Sequence, residues 1–346
     1  MATHTLEIDT LNRYLNKACP EIGTVLSAEK FSGGQSNPTF KLNADSGVYV
    51  LRRQPPGKLL KSAHAVDREY RVINALSNTE VPVPKVYHLC EDADIIGSMF
   101  YIMAYVEGTI YWNSALPEVD SPKNRGAMYD EMNRVLAVMH SVDIEAAGLT
   151  SYGKPGSYFS RQLSRWTQQY RASELEHVED IEQLITYLEE NLPEDDGQIA
   201  LVHGDFRLDN MMFDMSNLDA PKVIAVLDWE LSTLGHPYAD LAYQCMQLRL
   251  PSDIAHASGL GGLDRDALGI PSEEEYVDAY CKRRGIDKIE NWTFYLAFSF
   301  FRLAAILQGV VKRAHDGNAS SDKAMQLGAM VRPLAQIANK TIHQNG

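Results

Sequence analysis

Val202-His203-Gly204-Asp205-Phe206-Arg207-Leu208-Asp209-Asn210 and, a little further on, Val223-Ile224-Ala225-Val226-Leu227-Asp228-Trp229-Glu230 decide the reading of this 346-residue chain. Two short apolar runs, Ile199–Val202 and Val223–Leu227, read as strands. Asp205 and Asn210 stand five residues apart and can converge on the loop after the first run. Asp228 ends the second run and can face that loop. A carboxylate and an amide offering oxygen atoms suit Mg²⁺, a hard ion that keeps several waters and takes few protein ligands. Asn210 and Asp228 are therefore the candidate metal ligands. Asp205 is left to take a proton from an attacking hydroxyl. Taken singly, His-Gly-Asp is a turn, and an acid ending a strand is commonly a helix cap. It is their joint occurrence, in this order, that points to chemistry.

Working outward, the residues on either side of this stretch fall into two regimes. Phe31–Leu42 and Val48–Arg53 read as strands around a turn at Asn43–Gly47. A helix is expected over Val66–Leu76, stopped by Pro82 and Pro84, and a buried strand over Phe100–Val106. Helical spacing then takes over: around Gly126–His140, Glu174–Leu192, Tyr238–Leu248, Glu273–Arg284, Trp292–Arg313 and Asp322–Asn339. The expected fold is α+β and bilobal, with a small strand-rich lobe over 1–105 and a larger, mostly helical lobe over 106–346.

The motif H-x-D-x-x-x-x-N followed by a metal-binding Asp is the kinase template. Here it reads H-G-D-F-R-L-D-N, with D-W-E in place of D-F-G. In these forms the chain resembles the aminoglycoside phosphotransferase and choline kinase group, over roughly Glu29 to Ala335. The likeness is strongest to the phosphotransferase-like domains found alone in bacteria or fused to some acyl-CoA dehydrogenases. The resemblance implies a protein-kinase-like fold and transfer of the γ-phosphoryl of ATP, with Mg²⁺, to a hydroxyl of a small molecule. It also implies that His203 packs and hydrogen-bonds the loop rather than reacting. Asp240, in Gly235-His236-Pro237-Tyr238-Ala239-Asp240, would anchor the loop from the helix below.

On the nucleotide side, the Gly33–Asn37 segment lies where a phosphate-covering loop belongs. Gly34, Gln35, Ser36 and Asn37 would offer backbone N–H groups and short polar side chains to the phosphates. The cation is expected on Tyr49–Arg53. By strand alternation Val50 and Arg52 share one face, making Arg52 the phosphate-facing candidate and leaving Arg53 as its rival. Glu69 would pair with Arg52, although Asp67 and Arg71 could equally make it one more solvated helix charge. Met103, Ala104 and Val106 form the connection between lobes, where backbone at Ala104 and Val106 would meet the adenine edge. ATP is expected, and GTP is not excluded.

The acceptor side is read from Gly153–Trp166, aromatic and basic, where Tyr158, Arg161, Arg165 and Trp166, with Arg302, could line a pocket for an anionic or acyl-bearing substrate. Surface basic residues interleaved with core aromatics explain the same segment equally well. The net charge is −14, from 32 basic and 46 acidic residues, which argues against a nucleic-acid partner. Ten of those acids fall in Glu174–Asp196, a run without Lys or Arg, read as the solvated face of one helix. Trp292–Val311 is long and apolar enough to suggest a membrane span, but Arg302 near its middle favours a buried helix and no membrane partner. Four separated cysteines and the absence of a leader-like start favour a cytoplasmic location. Nothing implies an oligomer. The alternatives are a protein kinase, disfavoured by the absence of Ala-Pro-Glu after Asp228, an inactive nucleotide-binding module, an aminoglycoside kinase, and a hydrolase using Asp205, Asp209 and Asp228.

Overall fold

The computed structural model describes residues 6–31, 37–55, 64–252, 259–317 and 326–345. A helix, α1 (Ile8–Ala18), leads into β1 (Val25–Lys30), β2 (Thr39–Ala44) and β3 (Gly47–Arg53). Then follow α2 (Val66–Leu76), β4 (Val86–Cys90) and β5 (Phe100–Ala104). The five strands form one antiparallel sheet in the order β1-β2-β3-β5-β4. The α2 bounds match those expected from helical spacing. The strand expected from Phe31 begins instead at Thr39, and neither α1 nor β4 was foreseen.

Register sorts this sheet into two chemistries. Thr39 pairs with Arg52, Lys41 with Val50, Val50 with Met103, and Arg52 with Tyr101, so these side chains share one face. Phe40, Leu42, Leu51, Phe100 and Ile102 take the opposite face and bury themselves against Leu11 and Leu15 of α1. Because the side-chain period of a strand is two, the apolar choice on one face leaves the other free for function.

The larger part contains α3 (Pro122–Met139), α4 (Tyr158–Ser173), α5 (Glu179–Glu190), α6 (Tyr238–Arg249), α7 (Arg265–Leu268), α8 (Glu273–Arg284), α9 (Trp292–His315) and α10 (Val331–Asn345). Helix α3 begins where Ser121 caps the N–H of Asn124 and Pro122 takes the first turn. Two short ladders sit among the helices: β6 (Ala200–Val202) with β9 (Thr233–Gly235), and the hairpin β7 (Met211–Asp214) with β8 (Lys222–Val226). The main hydrophobic core runs from α2 and Tyr101 through α3, α6 and α9 to Ala338.

Helix α9 is apolar enough to cross a membrane by length and composition, yet 72% of its most apolar window is buried inside the protein against α4, α6 and α10. The acidic run is not one solvated helix. Only 179–190 is helical, and its acids are partly engaged: Glu182 with Arg171, Asp195 with the Ser157 N–H, and Asp196 with His236. The C-terminal helix was expected from Asp322. Residues 322–325 lie outside the described residues, and α10 ends later than expected.

Candidate functional site

The loop after β6 turns sharply at Gly204, where φ is +84° and an added Cβ would lie 2.8 Å from the Leu231 carbonyl oxygen. Only glycine takes that conformation in that space. The turn exposes two backbone N–H groups, and Asp240, in the first turn of α6, takes both: His203 N at 2.6 Å and Gly204 N at 2.8 Å. Behind Asp240, the His140 Nε2–H points at its Oδ2 across 3.4 Å, while Tyr280 donates to His140 Nδ1 at 2.8 Å. Burial pushes the Asp240 carboxyl up, but the His140 bond and charge and the Gly204 N–H outweigh it and hold it below its ordinary value. Burial lowers His140 below its ordinary value against the pull of the Asp240 carboxylate.

His203 is fully buried beside Trp229, with ring centroids 4.8 Å apart. Its Nδ1 accepts the Asp205 N–H at 3.2 Å. The other nitrogen must then carry the proton, and it donates to the Leu227 carbonyl at 2.9 Å. One imidazole thereby ties the loop bearing Asp205 to the residue before Asp228. The Leu227 N–H in turn donates to the Asn210 carbonyl at 2.8 Å. Asp205, Asn210 and Asp228 are thus drawn together by backbone and ring bonds.

The Asp205 carboxylate is held at both oxygens: Oδ2 accepts from Asn210 Nδ2 at 3.0 Å, and Oδ1 from the Tyr243 hydroxyl at 2.9 Å. Burial, with the Asp205 charge, raises Tyr243, which keeps it a donor. Tyr243 escaped the reading of the sequence. Its signal was available, since it lies one helical turn after Asp240 on the same face of α6. Asn210 spends its amide nitrogen on Asp205, and its Oδ1 makes no hydrogen bond among the described residues. Asp228 adopts a left-handed backbone, φ +62°, uncommon for a residue other than glycine.

Across the cleft, Arg52 meets two acids with two different nitrogens: Nε lies 2.8 Å from Glu69 Oε2 and Nη2 lies 2.6 Å from Asp228 Oδ1. Arg53, the rival, points to the other face of the sheet and donates to Ser98 Oγ at 2.8 Å. Glu69 is buried rather than solvated. Desolvation lifts its carboxyl to about 7 against the pull of Arg52, with Asp228 and Glu230 adding to the rise. Desolvation also opposes the Arg52 charge, but Glu69, Tyr101 and Asp228 outweigh it and raise Arg52 above its ordinary value. Helix α2 is itself pinned to the helical lobe, where Arg68 donates to the Tyr152 carbonyl at 2.9 Å and stacks on the Tyr152 ring.

Arg52, Glu69 and Asp228 open onto one cavity of about 350 Å³ between the lobes. Arg52, Glu69, Tyr101 and Asp228 form its charged end. Val50 and Thr39 lie above, Met212 and Val226 below, and Met103, Ala104 and Val106 stand at the connection. At the expected base contact, the Ala104 N–H already donates to the Lys85 carbonyl at 2.7 Å, so Ala104 would meet a base only through its carbonyl. The Val106 N–H has no backbone acceptor among the described residues and is the free donor. Of the phosphate-covering loop, Gly33, Gly34, Gln35 and Ser36 lie outside the described residues. Asn37 is buried, contacting His64 Nδ1 at 3.1 Å through its Oδ1 and Glu230 Oε2 at 3.5 Å through its Nδ2.

The residues expected at the acceptor side divide. Arg302 Nη2 donates to the Gly204 carbonyl at 2.7 Å, with its guanidinium 5.3 Å from the Tyr243 ring centre and 5.9 Å from that of Trp166. Arg165 stacks on Trp166 at 5.3 Å. Tyr158 is raised by burial to about 12, with Arg302, Arg161 and Arg165 near enough to pull it down. Arg161 bonds the carbonyls of Lys154 (2.6 Å) and Pro155 (3.3 Å) at the entry to α4. Arg207, unforeseen, pairs with Asp209 and lies within electrostatic range of Asp205 and Tyr243.

The donor set suits a magnesium ion. Asn210 Oδ1 and the second carboxylate oxygen of Asp228 are hard oxygen atoms without protein partners among the described residues, and together they would hold Mg²⁺.

Comparison with known proteins agrees with this geometry. The model of the phosphotransferase enzyme family matches residues 27–291. Acyl-CoA dehydrogenase family member 10 of Mus musculus is 47% identical over 337 residues, covering 97% of this chain but only 31% of that protein. The chain thus spans about a third of that relative. A solved structure from Ralstonia eutropha JMP134, provisionally assigned as an aminoglycoside phosphotransferase, is 45% identical with a TM-score of 0.88, covering 98% of this chain and 99% of that one. An aminoglycoside phosphotransferase solved with ADP and hygromycin B shares the fold, with a TM-score of 0.61 at 15% identity, covering 96% of this chain and 98% of that one. With its kinase-like, bilobal α+β architecture, the chain belongs to the phosphotransferase enzyme family.

Proposed function

We propose that the protein transfers the γ-phosphoryl group of ATP, with Mg²⁺, to a hydroxyl of a small, anionic acceptor. The observation that carries this reading is the meeting of Asp205, Asn210 and Asp228 with the Arg52–Glu69 pair at one cleft. Asp205 orients the acceptor hydroxyl and takes its proton as the oxygen–phosphorus bond forms and the bond from the γ-phosphorus to the bridging oxygen breaks, leaving ADP. Arg52 offers its fork to the phosphate oxygens, and Glu69 fixes the fork's angle. Mg²⁺, held by Asn210 and Asp228, would neutralise charge building on the phosphates. The rest is positioning and charge complementarity, to which His203, Asp240 and Tyr243 contribute by holding the loop.

Arg302, Arg165 and Arg207 near the loop favour an anionic acceptor over a polycation. The likeness to a protein named for acyl-CoA chemistry makes a hydroxylated acyl compound the class we favour. The test is a screen of hydroxylated acids and acyl thioesters for phosphate uptake from ATP, repeated with Asp205→Asn. Transfer that is lost in Asp205→Asn, while Mg-ATP binding persists, supports the assignment. Full turnover in Asp205→Asn refutes it.

A further inference from the structure

One large aromatic side chain on the cleft is unexplained by the chemistry above. Trp112 is 67% exposed although it lines the same cavity as Arg52 and Asp228. Its backbone is not free to bury it. Gly108 passes so close to β7 and β8 that an added Cβ would lie 2.6 Å from Met212 Cγ and 2.8 Å from Ile224 Cδ1. Thr109 then bridges Phe213 with two backbone bonds, at 2.9 and 2.8 Å. Tyr111 packs edge-on against the Phe213 ring, while its sequence neighbours Ile110 and Trp112 line the cavity. After Trp112 the chain is fixed again, by Leu116 N–H to the Asn113 carbonyl and Ala115 N–H to Asn113 Oδ1, both at 2.9 Å. On the sheet side, Phe31 lines the same cavity, 37% exposed and held by its N–H to the Thr39 carbonyl.

We propose that Trp112 is a binding residue for the nucleotide, stacking on its base–sugar half and gripping adenine and guanine alike. This rests on the phosphotransferase reading. The charged end of the cavity takes the triphosphate, so the base–sugar half must extend toward the apolar end, where Trp112 stands. Among the backbone donors there, the Ala104 N–H is spent on Lys85 and the Val106 N–H is open. A π-face meets every base equally well, so what Trp112 contributes is the same for adenine and guanine.

The experiment is a titration of Mg-ATP, Mg-GTP and Mg-tripolyphosphate against wild type, Trp112→Ala and Trp112→Phe, read by calorimetry and by tryptophan fluorescence. Trp112→Ala is expected to weaken ATP and GTP by the same factor, about tenfold, in line with the loss of one aromatic–base stack. Tripolyphosphate should be untouched, Trp112→Phe should restore most of the affinity, and the fluorescence change on nucleotide binding should vanish in Trp112→Ala. Three outcomes overturn the proposal: ATP affinity unchanged in Trp112→Ala, an equal loss for tripolyphosphate, or a loss confined to the acceptor's KM. If wild type binds no nucleotide at all, the phosphotransferase reading itself fails, a result distinct from these three.

Discussion

Removing the Asp240 carboxylate isolates the anchor of the loop that carries Asp205. In the native fold it accepts two short backbone bonds, 2.6 Å from His203 N and 2.8 Å from Gly204 N, in a fully buried position. Asp240→Ala leaves both N–H groups without an acceptor where water does not reach. At about 1–3 kcal/mol for each buried donor left unsatisfied, the loss is about 2–6 kcal/mol. Asp240→Asn keeps one acceptor oxygen and sets an NH₂ against the second N–H, so about half of that range is expected. Urea unfolding followed by tryptophan emission suits the measurement, because Trp229 packs against His203 and senses the loop. Hydrogen exchange at the His203 and Gly204 amides gives the local answer. If Asp240→Ala stays within about 1 kcal/mol of wild type and both amides remain protected, the carboxylate is not what satisfies them, and the reasoning is wrong.

Gly204→Ala is expected to destabilise by about 1–2 kcal/mol from its left-handed backbone alone, with the clash at the Leu231 carbonyl in addition, and to depress turnover more than nucleotide affinity; denaturation and KM measurements check this. Arg52→Lys cannot reach Glu69 and Asp228 with one nitrogen as the two nitrogens of Arg52 do, so Mg-ATP affinity should fall about tenfold by calorimetry, and an unchanged Kd would count against the fork. The pH dependence of stability divides by residue. His140 and His236 are lowered by burial from the ordinary 6.5, so the unfolded chain takes the proton first, and their stabilising share is complete above that pH and lost as pH falls below it. Glu69, lifted from 4.5 to about 7, runs the opposite way and gains stability as pH falls through that interval. Urea midpoints from pH 4.5 to 7 should therefore lie on a flatter curve in His140→Gln and a steeper one in Glu69→Gln; parallel curves would contradict the assignment.

What the sequence made legible were features governed by local rules. Strand alternation alone separated Arg52 from Arg53, and the structure sends them to opposite faces as that rule requires. The spacing of Asp205, Asn210 and Asp228 is short enough that one loop and one hairpin fix it. What escaped were contacts made across the fold. Tyr243 meets Asp205 over 38 positions, a pairing hinted at only by its place one turn after Asp240, and Arg302 reaches Gly204 over 98, a distance at which no local periodicity carries information. Helix α9 passed the composition test for a membrane span because a core helix surrounded by other helices has the same need for apolar residues all round.

On the proposed function, the Arg52–Asp228 contact would tie the two ligands of the cleft to one equilibrium. While Arg52 holds Asp228, the acid proposed to take Mg²⁺ is already neutralised by a protein cation, and free Mg²⁺ would meet a weakened site. A triphosphate drawing Arg52 to its own oxygens would release Asp228 for the metal, and a metal on Asp228 would free Arg52 for the phosphates. Each ligand would then raise the affinity for the other by the same factor, as linkage requires. The proposed partner of this cleft would thus be the metal–nucleotide complex, with the ion pair across the lobes coupling its two halves.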